Sequence, residues 1–493
     1  MKKLLFLISI VMLASGCAQL QNSECNDHEL RFHQNGEFRI LQFTDTHWNG
    51  NNDSYDRPAE IQKIIRETVA KENPDFIIFT GDVILGGKDI MQEWKIFADF
   101  MAGFSVPYSI VPGNHDPERA DMKRVLEYLV EQPYFVGEVS VENVRGYGNT
   151  VLPVKASDGS DKTQALIYCF DSNDYSPSNE DYGYYGYFEP EQIAWYKQQS
   201  RGYTAANGGK PVPAVAFFHI PLPEYYDIPA EDMHGTFNEP ICSPNVNTGM
   251  YMAMREMGDV MGTFVGHDHT NDFIGKYYTI ALAYGRKTQD NDYMTDLVPP
   301  GGRVIVLKEG KYQFETYCSA PERTDFTFYY PSGITSKEKA EYSYYPALDV
   351  KPSQNGLSYT YSEGDFLSTA DIYRMGKNVQ KGTMANFDIT KAPAKDHFAY
   401  VFEGYVDIPE TDVYLFYLNS DDGARLYIDG KEIIDNDGSH SSDRKGGKVG
   451  LEKGFHEIKV EFFDDYAEEE LMVRMLSTNY PLAKLSDQIL YVK

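Results

Sequence analysis

Cysteine is scarce: the chain has 5 in 493 residues, and no two form a Cys-x-x-Cys pair. That spacing excludes a zinc ribbon and a dithiol redox motif. Apart from Cys17, the four that remain (Cys25, Cys169, Cys242 and Cys318) allow three complete pairings, and spacing chooses none of them. Cys169 sits in the apolar run 165–170 and reads as a buried thiol. Positive charge is also short, with 45 basic against 74 acidic residues and a net charge of −29. Such a surface repels nucleic acid and anionic headgroups, so no nucleic-acid-binding face is expected. Internal repeats and low-complexity tracts are absent. What is present is a globular composition, 42% hydrophobic with 38 tyrosines and 28 phenylalanines. At a prior of ~150 residues per domain the length accommodates two or three domains.

Residues 1–16 read as a targeting segment. Lys2 and Lys3 precede the apolar stretch Leu4 to Leu13, which is too short to span a bilayer, and Ala14-Ser15-Gly16 lead into Cys17. This resembles a bacterial lipoprotein signal, although Ala14 stands where that pattern usually has Leu, and Leu13 lies one place earlier. The resemblance implies cleavage before Cys17 and acylation of Cys17. The protein would then be exported and held to a bacterial membrane by lipid alone, in the periplasm or at the cell surface. Residues 17–37 read as a polar tether.

From Phe38 short apolar runs alternate with amphipathic stretches, the pattern of a layered α/β domain. Strands are expected over 38–44, 75–80, 107–111, 164–170, 212–219 and 260–265, and helices over 59–72, 90–102, 118–130 and 248–257. Further strands over 277–283, 303–308 and 311–317 close the domain at about residue 319. Residues 320–356, rich in Pro, Ser, Tyr and Lys without sustained periodicity, read as a linker. Residues 357–493 then read as all-β, with strands over 399–406, 413–419, 424–428 and 454–463.

Five polar motifs stand at the ends of expected strands: Asp45-Thr46-His47, Gly81-Asp82, Gly113-Asn114-His115-Asp116, His219, and Gly266-His267-Asp268-His269. Each alone is weak, because an isolated strand-end His is commonly structural and a lone Gly-Asp is commonly a turn. Together they supply carboxylate, imidazole and carboxamide without thiolate, a set that suits Zn, Fe or Mn. Seven candidate donors exceed what one closed four-ligand site needs, so two adjacent divalent or trivalent ions sharing a carboxylate fit the count.

The order of these motifs resembles the calcineurin-like metallophosphoesterases over about residues 38–310. The resemblance implies an α/β four-layer sandwich, two β-sheets flanked by helices, with a dinuclear centre at the strand ends. By motif, Asp45, His47 and His269 correspond to ligands of the first metal, Asp82 to the bridge, and Asn114, His219 and His267 to ligands of the second. His115 is similar to the non-ligand histidine that protonates the leaving group. Finer wording (Glu72-Asn73-Pro74-Asp75, Gly146-Tyr147-Gly148-Asn149, Phe170-Asp171-Ser172, His219-Ile220-Pro221) is similar to plant and fungal proteins labelled purple acid phosphatases, some of them "probable inactive". Where true purple enzymes carry a ligand tyrosine after Gly-Asp-x-x, this chain has Leu85. The implied activity is hydrolysis of phosphate esters by an activated water, with monoester against diester open. A phosphodiesterase acting on nucleotides or phospholipid headgroups is the alternative. Asp116 either orients His115 or caps a helix before Pro117. Asn271 and Asp272 either support the histidines or form a turn, and Arg286 meets substrate phosphate or a surface salt bridge.

Around Asn419-Ser420-Asp421-Asp422-Gly423 and Tyr427-Ile428-Asp429-Gly430 the second domain is similar to the protective-antigen-like β-barrel module, so a barrel or sandwich is expected. In sugar-binding members of that family an adjacent Asp pair coordinates calcium and glycan hydroxyls, which makes Asp421 and Asp422 candidates for calcium and carbohydrate. A purely structural role for that turn is the alternative. A surface glycan-binding lipoprotein is therefore the non-enzymatic rival.

Overall fold

The computed structural model describes residues 28–51, 58–289, 297–486 and 488–493. The signal segment, Cys17 and Cys25 lie outside them. Residues 38–319 form four layers. One sheet has seven strands in the order Leu30–Arg31, Thr150–Lys155, Thr163–Cys169, Ala214–Phe217, Val260–Val265, Ile280–Tyr284 and Ile274–Tyr277. The second runs Ile334–Thr335, Phe328–Tyr330, Phe314–Ala320, Gly302–Lys308, Glu37–Phe43, Phe76–Thr80 and Tyr108–Val111, with Arg323–Thr324 beside Phe314–Ala320.

Alternation along the strands builds the layers, because successive side chains point to opposite faces. Phe38, Ile40, Phe76 and Ile78 turn inward and meet Ile167, Val215, Phe217 and Phe264 of the other sheet. Leu41, Phe43, Ile77 and Phe79 turn outward beneath the helices Pro58–Glu72 and Ile90–Ala102. On the opposite side Tyr168, Phe170, Ala214 and Ala216 pack under the helices Pro190–Ala206 and Met250–Met257. A one-residue slip in any of these strands would exchange the two packing faces.

Several expectations need correction. The helix expected over 118–130 is broken into Asp116–Arg119 and Met122–Leu129, with Asp121 capping the second through a bond from Lys123 N. Helix Pro190–Ala206 carries Gln192 and Ser200 on its buried face beside Trp195 and Tyr196, so it lacks the apolar stripe that marks a helix. The tether expectation fails for residues 28–37, since Leu30–Arg31 pairs with Thr150–Lys155 and Phe32 is buried. The linker expectation fails too. Phe328–Tyr330 and Ile334–Thr335 extend the second sheet, a capped helix Ser336–Glu341 follows, and Tyr344–Tyr345 joins the C-terminal part. Strands of two or three residues carry no readable period. Lys339 is 2.9 Å from Asp412, and Lys448 is 2.7 Å from Glu338, so this helix is ion-paired to the β domain on both sides.

The C-terminal part is a sandwich of a five-stranded and a seven-stranded antiparallel-rich sheet around one core that includes Phe398, Phe402, Phe416, Leu426 and Val460. The alternative of a closed barrel is not realised. Cys169, Cys242 and Cys318 are free thiols.

Phe97 is fully buried, with its ring 5.0 Å from Phe79 and 5.7 Å from Trp94. Phe97→Ala should cost about 3–5 kcal/mol, read as a lowered denaturation midpoint. A change below about 1 kcal/mol would contradict this packing.

Candidate metal centre

The five motifs meet at the strand ends, where the loops after Glu37–Phe43, Phe76–Thr80, Tyr108–Val111, Ala214–Phe217 and Val260–Val265 converge. Donor atoms of Asp45, His47 and His269 lie within 4.8 Å of one another, and so do those of Asp82, His219 and His267. Asp82 joins the two groups. Its Oδ2 is 3.6 Å from His47 Nε2 and 3.3 Å from His219 Nε2, while its Oδ1 accepts the His115 N–H at 2.9 Å. Asp45 is divided in the same way: Oδ2 accepts from Thr44 Oγ1 and His267 N, and Oδ1 faces His269 Nε2 at 3.5 Å. Asn114 Oδ1 is 3.1 Å from His219 Nε2, completing the seven side chains read from sequence.

The spacings at His47 and His269, 3.6 and 3.5 Å, are long for hydrogen bonds, and the whole set is compatible with donors sharing a cation. Two donors of one ion, each at about 2.1 Å, stand roughly 3.0–3.4 Å apart at octahedral to tetrahedral angles. Buried Nε2 atoms of His47 and His267 have no hydrogen-bond partner among the described residues. His267 Nδ1 also points at His219 Nε2 across 3.2 Å, a contact that either a proton on one ring or a cation between them satisfies. The donor set therefore fits two ions with Asp82 shared. His219 is fixed for that role: its Nδ1 donates to the Thr80 carbonyl at 2.7 Å, which leaves Nε2 toward the centre.

Backbone strain accompanies the convergence. Asp45, His47, Asp82 and His267 all have positive φ, between 48° and 81°. Such left-handed residues cost on the order of 1–3 kcal/mol each and persist where surrounding contacts over-determine them. Asp116 supplies much of that restraint. Its buried carboxylate accepts the backbone N–H groups of Asp82, Val83, Ile84 and Gly113, at 2.8–3.2 Å. It thus clamps two metal-site loops together and does not touch the His115 ring. The N-cap of its helix is His115, so the capping alternative for Asp116 also fails. Gly81 is needed for close approach, since a Cβ there would stand 2.5 Å from His219 Nδ1 and 2.6 Å from Gly113 Cα.

Electrostatics follow from crowding three buried carboxylates. Burial and the Asp82 charge push Asp116 up to about 7. His219 moves the other way: burial alone would lower it, but Asp82 and Asp45 hold it up at about 10. Burial and the neighbouring His219 push His267 down to about 3.

Several residues were invisible to motif reading. His115 Nδ1 is 3.1 Å from Glu118 Oε1, Glu118 accepts from Tyr175 Oη at 2.6 Å, and Tyr175 Oη accepts from Asn114 Nδ2 at 3.2 Å. Tyr185 sets its ring 4.5 Å from that of His267, and Tyr184 packs against both Tyr175 and Tyr185. The density of tyrosine over 175–187 was the available signal. Ser172 Oγ accepts Ile220 N at 3.0 Å and so steadies the segment beside His219. Arg286 is buried rather than superficial and is paired with Asp272 and Asp325, not with any of the seven donors. Asn271 and Asp272 hold the loop 236–239 through its backbone N–H groups. In the β domain Asp422 accepts from His440 N and Asp465 N, and Asp421 accepts from Ser442 N, so both brace loops.

The calcineurin-like phosphoesterase family profile matches residues 38–271, and the PA14 domain profile matches residues 353–483. The chain is 30% identical over 311 residues to "Probable inactive purple acid phosphatase 29" of Arabidopsis thaliana, covering 57% of this chain and 79% of that protein. It is 26% identical to "Phosphatase DCR2" of Saccharomyces cerevisiae, covering 48% of this chain and 45% of that protein. Among solved structures, a dimetal phosphatase from Danio rerio aligns at 12% identity with TM-score 0.38, covering 59% of this chain and 98% of that one.

With Nδ1 donating to Thr80 and Nε2 facing the Asp82 and Asn114 oxygens, His219 is pushed by the Asp82 and Asp45 charges toward its doubly protonated form in the chain alone. Loading metal near pH 7 should therefore release at least one proton, and apparent affinity should rise about tenfold per pH unit per proton released. Titration calorimetry in buffers of different ionisation enthalpy reads this directly. Heats independent of the buffer would contradict it.

Proposed function

Because this chain belongs to the calcineurin-like phosphoesterase family and carries a PA14 domain behind that unit, we propose that it is a metal-dependent phosphoric ester hydrolase using two cations at the cluster. The observation that carries the reading is the placement of one Asp82 oxygen between His47 and His219. Divalent cations, when bound, would supply Lewis-acid polarisation of the phosphoryl group and an acidified water.

The chain's own residues do the rest. Asp45, His47 and His269 would hold one ion, and Asn114, His219 and His267 the other, with Asp82 common to both. His115 is a rim residue, its side chain 39% exposed, and its backbone N–H steadies Asp82. With Nδ1 turned to Glu118, its Nε2 is the atom left to give a proton to the departing alkoxide. Glu118 is held below the usual glutamate range, because bonds from Tyr175 and His115 outweigh its slight burial. Glu118, itself exposed, orients the His115 ring by holding its Nδ1. Tyr175, Tyr184 and Tyr185 border the site on the side of Asn114 and His267.

Export, acylation at Cys17 and a bacterial-membrane location remain part of this proposal, supported by the Lys2 to Cys17 pattern. Carbohydrate association through the PA14 domain, with calcium near Asp421 and Asp422, is likewise proposed from the Asp-Asp-Gly turn. The relative labelled inactive favours one rival, a glycan-binding lipoprotein with a silent phosphoesterase unit. Against it stands the full set of seven donors in register here.

Hydrolysis of p-nitrophenyl phosphate or its bis-ester with added Mn or Zn should be measurable and abolished by EDTA. His115→Ala should lower kcat by about 10²–10⁴-fold, with bound metal retained. Glu118→Gln should lower kcat less and shift the pH profile. Wild-type protein with both ions bound and no turnover of either ester would favour the silent rival.

A further inference from the structure

A cavity of about 230 Å³, walled by charged side chains and by Ile274, Phe326 and Phe328, lies beside the loop that carries His267 and His269. Asp272 of that loop lines it, together with Arg286, Arg303, Arg323, Asp325 and Thr316. None of the seven metal-site side chains takes part, so the cavity stands apart from the reaction proposed above.

Its charge is unusual for this protein. Arg286 is buried and engages Asp272 through Nε at 3.0 Å, while Nη2 meets both Asp272 and Asp325. Its Nη1 is buried without a hydrogen-bond partner among the described residues. Arg303 is buried as well, yet it donates only to neutral acceptors: the Tyr284 carbonyl at 2.7 Å, the Asp272 carbonyl at 2.6 Å and Thr316 Oγ1 at 3.3 Å. At the exposed mouth Arg323 reaches Asp325 Oδ1 at 2.7 Å through Nε alone. Three guanidinium groups thus face two carboxylates, in a chain whose net charge is −29. Both carboxylates are already held by arginines, so the excess charge rests on Arg303 and on the free arms of Arg286 and Arg323.

A buried guanidinium without a charged partner is costly, and a planar fork of N–H donors matches a tetrahedral oxyanion. We propose that this cavity is a binding site for a phosphate-sized oxyanion, with Arg286 Nη1 and Arg323 as donors and Arg303 supplying the compensating charge. The anion enters past Arg323, the exposed member. Because Asp272 ties the cavity to the His267–His269 loop, the site is placed to brace that loop from behind.

Inorganic phosphate binding to the full-length, metal-loaded protein tests this at constant ionic strength, by titration calorimetry or equilibrium dialysis. Wild type should show a phosphate site that Arg323→Ala weakens roughly ten- to hundredfold, the loss of one charge-assisted bond. Arg286→Met should remove it. Phosphate bound at the metal centre depends on other residues and should persist in both variants, so failure of the proposed hydrolase and failure of this site give different results. Arg323 lies at the surface, so Arg323→Ala keeps the test usable if Arg286→Met does not fold. Phosphate binding identical in wild type and Arg323→Ala, or no binding beyond the metal centre, overturns the proposal.

Discussion

Asp82 is buried with both of its oxygens committed, one to a backbone N–H and the other to a gap between two imidazoles contributed by distant segments. A second carboxylate, Asp116, is buried directly behind it and grips the backbone of the same loop. Asp45 makes a third in the same crowded interior. Water cannot screen these charges, and burial alone would drive protons onto them. Imidazoles offset part of the cost, as the raised His219 shows. Divalent cations would offset the rest, and the left-handed backbone at four donors is the geometry that brings the charges this close. The sheets, the close-approach glycines and the Asp116 clamp all serve that one concentration of negative charge.

The site was legible in the sequence because its residues sit just beyond apolar strands, where a buried run ends and a polar motif begins. Asp45, Asp82, Asn114, His219 and His267 each follow that rule, and all seven donors meet. The supporting side chains obey no such rule. Glu118 and Tyr175 touch His115 and Asn114 through contacts that only the fold creates, and Asp116, read either as a partner of the neighbouring ring or as a helix cap, has four backbone N–H groups as its real partners. Most strand and helix positions in the layered unit followed from apolar runs and period 3.6. The strand expected over 277–283, however, runs across the turn between Ile274–Tyr277 and Ile280–Tyr284, and the helix expected over 118–130 is two. Helix Pro190–Ala206 did not follow from them, because Gln192 and Ser200 occupy its buried face. Residues 320–345 hid their order in strands too short to show any period.

The β domain is joined to the layered unit by structured chain. The helix Ser336–Glu341 is capped at Thr335 and salt-bridged to Asp412 and Lys448, which ties it to the sandwich. Its Asp421-Asp422 turn braces the segments at 440–442 and 465 through backbone N–H groups, an arrangement that orders the turn.

Metal content decides the central claim. Elemental analysis of the purified full-length protein should give close to two transition-metal ions per chain, and Asp82→Ala should retain one at most, because both ions lean on that side chain. Two ions retained in Asp82→Ala, or none held by the wild type after loading, would contradict the shared-carboxylate centre.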